Sequence, residues 1–299
     1  MERHGRRVED RGTQRRRVVT ETPTEIRSVA ERHWGRWISA AAVALVVAWL
    51  VVSAVNADFF DVATIRKYQF NALILEGLRN TIILSVLAQF VGLALGLVFA
   101  VGRMSKNPVF GVISSFYIWF FRGTPVIVQL FFWFNGVPSV FHNLTLQVPF
   151  THVVVFTTPM VEFMTPFTAA LIGLGLNEGA YMAEIIRAGI LSVDDGQVDA
   201  ASALGMTSRL SMRRIVLPQA MRVILPPTGN EFIAMLKTSS LASVVTYGEL
   251  LRRSGDIYST NLKVLPLLIV ASIWYLVLTS IASIGQYFLE RKYGRAFRR

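Results

Sequence analysis

Two charged residues interrupt apolar stretches of this sequence and could bind a small ligand that carries both charges. Arg122 stands beside Gly123-Thr124-Pro125, where the proline removes a backbone amide and leaves polar backbone groups free for a ligand. Its guanidinium can hold a carboxylate through two hydrogen bonds. Glu178 follows Asn177 and can accept hydrogen bonds from an ammonium group. Charged side chains at membrane depth cost about 2.5–3.5 kcal/mol each, so they usually face a cavity or a partner. These residues therefore predict a zwitterion-binding site.

A second polar pair, Asn230 and Glu231, opens a later apolar stretch and is a secondary candidate for the same ligand. Two simpler explanations remain open for the first pair. Arg122 and Glu178 can form a structural ion pair with each other, or Arg122 can extend along its aliphatic stem to the membrane surface. Neither explanation requires a ligand.

The sequence lacks the common signatures of catalysis and metal binding. The dipeptide Gly-Lys occurs nowhere, which excludes a phosphate-binding P-loop. There is no nucleophile elbow and no His-Glu-x-x-His motif. The absence of cysteine excludes disulfides and cysteine zinc sites, and His142 and His152 have no cluster of metal ligands near them in the sequence. We therefore predict that the chain is not an enzyme and holds no metal or cofactor of its own.

The composition indicates a membrane protein with several spans. Of the 299 residues, 53% are apolar and only 16% are charged, too few charges for a soluble surface of this size. A net charge of +11 would suggest nucleic acid as the partner of a soluble protein. Here the charges lie in loops and tails between apolar stretches, so we expect contact with a lipid bilayer and none with nucleic acid.

Six apolar stretches are long enough to predict transmembrane helices. They cover approximately residues 37–55, 78–102, 108–136, 166–189, 222–245 and 264–288. The third stretch is interrupted at Pro125, where we expect a kink. In the second, Gly92 and Gly96 have a small-xxx-small spacing that permits close helix contact. Residues 137–165 contain no Lys or Arg and are interpreted as an outside or re-entrant loop. The predicted fold class is an all-α membrane protein with six transmembrane helices.

The distribution of basic residues predicts that both termini are cytoplasmic. With the amino terminus inside, 22 of the 30 Lys and Arg residues lie in inner segments and 5 in outer loops. This asymmetry obeys the positive-inside rule. It also places the polar segment 191–222 on the cytoplasmic side.

Residues 191–222 form the longest polar segment between the spans and predict a helix–turn–helix. One of residues 194–196 can begin a short helix, because aspartate side chains accept bonds from first-turn amides. Gly205 suits the left-handed position that ends a helix. Thr207 or Ser208 can then cap a second short helix. The expected product is a compact cytoplasmic knob with small side chains on one face.

The spacing within this segment resembles the EAA loop of ABC-importer permeases. The match comprises Asp199-Ala200-Ala201, three residues, Gly205, nine residues, Ile215, one residue and Leu217-Pro218. Asp199 departs from the usual Glu but keeps its charge. In that family the loop is a coupling helix that inserts into a groove of a separate ATPase subunit. The resemblance therefore implies an ATPase contact made by the matched residues, which are Asp199, Ala200, Ala201, Gly205, Ile215, Leu217 and Pro218.

The resemblance extends over residues 75–290 and is strongest to the branch that carries polar amino acids. Three segments carry it: FFRGTPVIVQLFFW (120–133), GLNEGAYMAEIIRAGI (175–190) and LPPTGNEFIAMLKTSSLASVV (225–245). It implies a type I transmembrane domain of five helices with a cytoplasmic coupling loop at 191–222. This chain adds a basic tail at 1–36, whose composition predicts disorder, an extra span at 37–55 and a basic cytoplasmic tail at 291–299.

The resemblance implies the permease subunit of an ATP-driven importer of a polar amino acid, in the plasma membrane of a prokaryote. The implied partners are a dimer of ATPase subunits that holds ATP and Mg, a second permease subunit of the same or a related chain, and an extracytoplasmic substrate-binding protein. A secondary transporter or channel driven by an ion gradient also explains the spans and buried charges, but not the loop spacing. A membrane scaffold explains only the spans. The sequence leaves the identity of the amino acid open.

Overall fold

The computed structural model describes residues 34–56, 61–147 and 154–294. Most of the two predicted basic tails, residues 1–33 and 295–299, lies outside the described residues. Internal contacts divide the chain into two units, Met1–Ser53 and Ala54–Arg299. The first unit contributes one described helix, and the second contains both candidate sites.

The described residues are mainly α-helical. In chain order the elements are α1 (Trp34–Asn56), α2 (Val62–Tyr68), α3 (Ala72–Arg103), α4 (Pro108–Gly123), α5 (Val126–Phe131), α6 (Val137–Val140), β1 (Asn143–Gln147), β2 (Val154–Pro159), α7 (Met160–Phe163), α8 (Pro166–Leu191), α9 (Asp195–Ala203), α10 (Ser208–Ser211), α11 (Leu217–Thr238), α12 (Leu250–Asn261) and α13 (Val264–Gly294). Single π-helical turns connect α5 to α6 and α10 to α11. A 3-10 segment, Ser239–Val245, continues from α11.

The helices confirm a membrane protein with several apolar spans, while the predicted number of six is confirmed only in part. Three of the described helices, α1, α3 and α13, are long and apolar enough to cross a membrane. The bent pair Pro108–Gly123 and Val126–Val140 counts as a fourth if it is one span. Helices α8 and α11 are long enough, with 26 and 22 residues. They fall short on composition, because ionisable side chains and prolines interrupt their apolar residues.

Helices α3 and α8 are in close contact, as the glycine spacing in α3 predicts. A Cβ atom at Gly92 would collide with Glu178, and one at Gly96 would lie 2.5 Å from Met182 Cβ. On α8, a Cβ at Gly179 would lie 2.8 Å from Leu95 Cβ. Each helix therefore offers glycines where the other presents side chains, which lets the backbones approach closely.

The predicted kink at Pro125 is a bend of 104° between the two helical segments that flank it. Proline cannot donate a backbone hydrogen bond, so carbonyl groups before it lose their helical partner. The side chain of Gln129 supplies a replacement, because its Nε2 donates to Phe121 O at 3.0 Å and to Thr124 Oγ1 at 2.8 Å. The bend is therefore fixed by specific hydrogen bonds within the chain.

The prediction of an all-α fold is wrong for the segment 137–165. There β1 and β2 form an antiparallel two-stranded sheet that pairs Asn143 with Pro159 and Thr145 with Thr157. Thr157 Oγ1 also donates to Thr145 Oγ1 across the sheet at 3.0 Å. Threonine and valine favour strands, and this composition was the available signal for the hairpin. The segment does connect two helices without spanning, as the loop interpretation expects.

A buried carboxylate holds the start of α12 against α13. Glu249 is fully buried and accepts hydrogen bonds from Leu251 N at 2.8 Å and Arg252 N at 2.7 Å. Tyr275 on α13 donates its hydroxyl to the same carboxylate at 2.7 Å. Because first-turn amides of a helix lack partners within the helix, this cap stabilises both α12 and its contact with α13.

An ion pair connects the beginnings of α2 and α13. Lys263 Nζ lies 2.9 Å from Asp61 Oδ2. The hydrogen bond from Lys263, followed by those from Thr64, lowers the pKa of Asp61 to about 2. The carboxylate therefore stays charged, and this link is lost only as the pH falls toward that value.

Candidate functional site

The loop at 191–222 begins with the short helix that the aspartates predict. Asp194 is its cap, since its Oδ1 accepts a bond from Gly196 N at 2.8 Å. Gly205 ends the turn with a φ of 75°, the left-handed conformation expected from its position. Gly205 N donates to Ser202 O and Met206 N to Ala201 O, each at 3.0 Å, so the last carbonyls of the helix are satisfied. The prediction for this half of the loop is confirmed.

The second half differs from the separate short helix that the sequence predicts. Thr207 does cap α10 through a bond from Leu210 N to its Oγ1. However, α10 continues through the π-helical turn Met212–Val216 directly into α11. Pro218 occupies the first turn of α11 and lacks the amide that would close a regular turn, which accounts for the wider one before it. The loop is therefore continuous with a long helix, so displacement of the loop would be transmitted along α11.

The residues of the EAA-like pattern differ in exposure. Ala201 is buried under the loop, and Ile215 is half-buried. The others are exposed, namely Asp199, Ala200, Gly205, Leu217 and Pro218. Leu204, which lies between the two helical arms, is 83% exposed. An apolar side chain with this exposure, surrounded by small residues, indicates a surface that can pack against another protein.

Arg122 lies in an open cavity of about 540 Å³ formed by α3, α4 and α8. Its guanidinium is stacked over the ring of Tyr181, 5.0 Å from the centroid, which is a favourable cation–π arrangement. Arg103 and Glu184 line the same cavity. Arg122 is exposed and forms no ion pair within residues 34–56, 61–147 and 154–294. Its hydrogen-bond donors therefore remain available.

Glu178 lies in the tight contact between α3 and α8 rather than beside Arg122. It is 5% exposed and accepts one hydrogen bond, from Gln89 Nε2 at 3.1 Å. No ion pair in the described part of the chain joins it to Arg122, so the structural pair considered from the sequence is not formed. The donor Gln89 lies 89 residues away in the sequence, and local sequence patterns gave no sign of it.

Glu231 connects the two charges that the sequence analysis paired directly. It lies close enough to Arg122 and to Glu178 to interact electrostatically with both. The structure therefore brings Arg122, Glu231 and Glu178 into one charged group, with two carboxylates and one guanidinium.

The two amides of the predicted site fix the surrounding helices. Asn177 Nδ2 donates to Phe121 O at 2.7 Å, which joins α8 to the residue before Arg122. Asn230 Oδ1 accepts from Gln286 Nε2 at 3.0 Å, which joins α11 to α13. The two hydrogen bonds therefore join helices that carry the charged group to helices that are distant in the sequence.

A carboxylate at the end of α8 organises a second set of charges that the sequence analysis did not assign. Glu184 pairs with Arg103 of α3 and with Arg187, whose Nη2 lies 2.9 Å from its Oε2. The i,i+3 spacing of Glu184 and Arg187 is visible in the sequence, whereas the contact with Arg103 depends on the packing of α3 against α8. This network forms one wall of the Arg122 cavity.

Comparison with known proteins identifies similar chains over most of this length. The family described as "Binding-protein-dependent transport system inner membrane component" matches residues 92–295. The arginine transport system permease protein ArgU of Corynebacterium glutamicum is 44% identical over 275 residues, which cover 92% of this chain and 85% of that protein. The glutamine transport system permease protein GlnP of Escherichia coli is 32% identical, covering 74% of this chain and 92% of that protein.

A solved structure is similar in fold as well as in sequence. The crystal structure of an amino acid ABC transporter with histidines shares 37% identity and superposes with a TM-score of 0.63, covering 74% of this chain and 94% of that chain. The residues matched by the family include both the loop at 191–222 and the charged group around Arg122.

Proposed function

The chain belongs to the family of inner-membrane permease components of binding-protein-dependent ABC transporters, and from this we propose that it imports a polar amino acid by ATP-driven alternating access. ATP and Mg are bound by a cytoplasmic ATPase dimer and not by this chain. A second permease subunit completes the path, and an extracytoplasmic binding protein delivers the substrate.

The observation that carries the proposal is the exposed loop at 194–218. Its surface combines small residues with the exposed Leu204, and its second arm runs without a break into α11. A contact with an ATPase at this loop would therefore move a helix that carries Asn230 and Glu231. Movement of α11 would in this way couple nucleotide binding by the ATPase to the substrate path through the membrane.

The charged group supports a substrate with a cationic part. Glu178 and Glu231 interact electrostatically with each other, and Glu231 also interacts with the guanidinium of Arg122. A bound cation would therefore offset the repulsion between the two carboxylates. The relative ArgU is named for arginine transport. We therefore take L-arginine as the first substrate to test. In this binding mode the guanidinium of Arg122 binds the carboxylate of the amino acid, and Glu178 and Glu231 bind its cationic groups.

We further infer six spans with both termini in the cytoplasm of a prokaryotic cell. In this arrangement α1 is the extra span ahead of a five-helix domain at 75–290, and the coupling loop lies on the cytoplasmic side with the basic tails. The bias of 22 inner against 5 outer basic residues supports this orientation. Helices α8 and α11 cross the membrane in spite of their charges, because those charges face other helices or a cavity.

The proposal is tested by uptake into proteoliposomes that contain this chain with its ATPase subunit and binding protein. We expect uptake of radiolabelled L-arginine to require ATP on the ATPase side, with L-glutamine and L-cystine as the alternative substrates. The control is the permease without ATPase, given a proton or sodium gradient. Gradient-driven uptake by that control would instead establish the secondary-transporter alternative.

Replacing Gly205 with valine should weaken ATPase association and uptake together. The φ of 75° is unfavourable for a β-branched residue, at a cost of about 1–3 kcal/mol. A Cβ at this position meets no atom of the described residues within 4 Å, so the effect arises from the backbone and not from crowding. Co-purification of the ATPase and ATP-dependent uptake measure it.

The matched control is Gly205→Asn, because asparagine tolerates the left-handed conformation. This variant should retain most of the association. If Gly205→Val binds the ATPase and transports as well as Gly205→Asn, the loop is not the coupling element.

A further inference from the structure

A second cavity, of about 320 Å³, lies between the end of α11, the 3-10 segment and α13. Its lining contains one cation, four hydroxyl groups and a leucine, and includes no carboxylate. The residues are Lys237, Ser240, Ser272, Tyr275, Leu276 and Thr279. This composition is complementary to an anionic group.

The ammonium of Lys237 has no partner among the residues that the structure describes. It forms neither an ion pair nor a side-chain hydrogen bond with any residue that the structure describes, and the side chain is exposed. Lys237 lies in the outer half of the proposed span 222–245, where an uncompensated charge costs about 2.5–3.5 kcal/mol on insertion scales. This cost is offset if the Lys237 ammonium faces a polar cavity and binds an anionic ligand there.

Only one of the four hydroxyl groups remains a free donor. Ser240 Oγ donates to Lys237 O at 2.7 Å, Thr279 Oγ1 to Tyr275 O at 2.8 Å and the Tyr275 hydroxyl to Glu249. Ser272 has no hydrogen-bond partner among the described residues. Lys237 and Ser272 therefore supply the donors of the cavity, one from each wall.

A line of polar side chains connects this cavity with the charged group around Arg122. Asn230 precedes Lys237 by seven residues on α11, and Gln286 follows Thr279 by seven on α13. Seven residues are about two helical turns, or roughly 10 Å, so each pair lies on one face of its helix. The hydrogen bond from Gln286 to Asn230, at 3.0 Å, closes the inner end of this line. Glu231 follows Asn230 directly.

We propose that Lys237 and Ser272 form a second binding site, separate from Arg122, for the carboxylate of the transported amino acid. This rests on the proposed function and adds two residues to the path. Arg122 lines a different cavity, which already contains the carboxylate of Glu184, whereas the Lys237 cavity has no acidic lining residue. The distance of roughly 10 Å along α11 allows a substrate at Lys237 to extend its side chain toward Asn230 and Glu231.

The test measures uptake kinetics of the complete complex in phosphatidylcholine liposomes. With Lys237→Gln we expect the KM for the amino acid to rise at least about tenfold, since hydrogen bonds between charged groups are among the stronger polar contacts. Lys237→Arg should restore most of the affinity. The Tm of both variants should match that of the unmodified complex.

The control is Lys292→Gln, which removes the same charge from an exposed lysine at the other end of α13 and should leave the KM unchanged. A KM for Lys237→Gln equal to that of the unmodified complex overturns the carboxylate site. If Lys237→Gln does not assemble, Ser272→Ala takes its place, and an unchanged KM in that variant overturns the proposal equally.

A lipid phosphate is the other source of an anion at this position. Repeating the measurement with phosphatidylglycerol in the liposomes separates the two sources. A substrate site predicts the same rise in KM in both lipids. An effect of Lys237→Gln that requires phosphatidylglycerol assigns the cavity to lipid and overturns the proposal. Absence of amino-acid uptake by the unmodified complex would overturn the proposed function itself, a result that differs from normal uptake with no effect of the variants.

Discussion

Replacing Gly92 with leucine is expected to prevent assembly of the permease. A Cβ at position 92 would already collide with the Cβ and Cγ atoms of Glu178. Helix α8 cannot move away locally, because Gly179 packs equally closely against Leu95. Extra carbon atoms in a tight contact cost about 1–3 kcal/mol, and separating the helices would also break the hydrogen bond from Gln89 to Glu178. The yield of protein that elutes as a single species in size-exclusion chromatography measures the effect.

The matched control for this prediction is Gly111→Leu. Gly111 also lies inside a helix, α4, but a Cβ there meets no atom of the chain within 4 Å. Both variants add the same side chain, so helix propensity and hydrophobicity change equally. Gly111→Leu should give the yield of the unmodified protein. Equal yield and uptake for the two variants would show that the close contact between α3 and α8 is not required.

Removing the charge of Arg122 or of Glu178 should reduce amino-acid uptake at least about tenfold, because hydrogen bonds to charged groups contribute about 1.5–3 kcal/mol. Arg122→Gln removes the carboxylate donor and the cation over Tyr181. Glu178→Gln keeps the shape of the side chain, and its amide oxygen can still accept the bond from Gln89. Neither variant breaks an ion pair formed within the described part of the chain. We therefore expect assembly and basal ATP hydrolysis to persist while uptake falls.

Measuring assembly, basal hydrolysis and uptake in the same reconstituted complexes separates the possible roles. The control is Glu162→Gln, which removes an exposed carboxylate on α7 and should leave all three quantities unchanged. Normal uptake in both Arg122→Gln and Glu178→Gln would remove the charged group from the substrate path. Loss of assembly in either variant would instead show that its charge stabilises the fold.

The sequence by itself determined the features that depend on neighbouring residues. The cap at Asp194, the left-handed turn at Gly205 and the bend at Pro125 all appear where the residue types predict them. Each follows from backbone geometry or from a hydrogen bond that spans only a few positions. The spacing of Gly92 and Gly96 likewise predicts a close helix contact, although it does not identify the partner helix.

At two places the observed secondary structure differs from the prediction made from neighbouring residues. Helix α10 continues into α11, because the π-helical turn Met212–Val216 is wide enough to accommodate Pro218 without ending the helix. The hairpin of β1 and β2 forms where the sequence indicates only a loop, since the pairing of Thr145 with Thr157 joins residues that no helical or transmembrane pattern connects.

Only the tertiary structure decided which charges meet. The sequence pairs Arg122 with Glu178, but packing places Gln89 on Glu178 and Tyr181 under Arg122. Glu231 interacts electrostatically with both charges. The same packing leaves Lys237 without a partner among the described residues, in a cavity that Ser272 also lines. These contacts join helices whose residues lie tens of positions apart, and a side chain's neighbours across a helix interface depend on rotation and depth of the whole helix. Residue type and spacing along one chain do not specify those quantities, so the sequence could name the charged residues but not their arrangement.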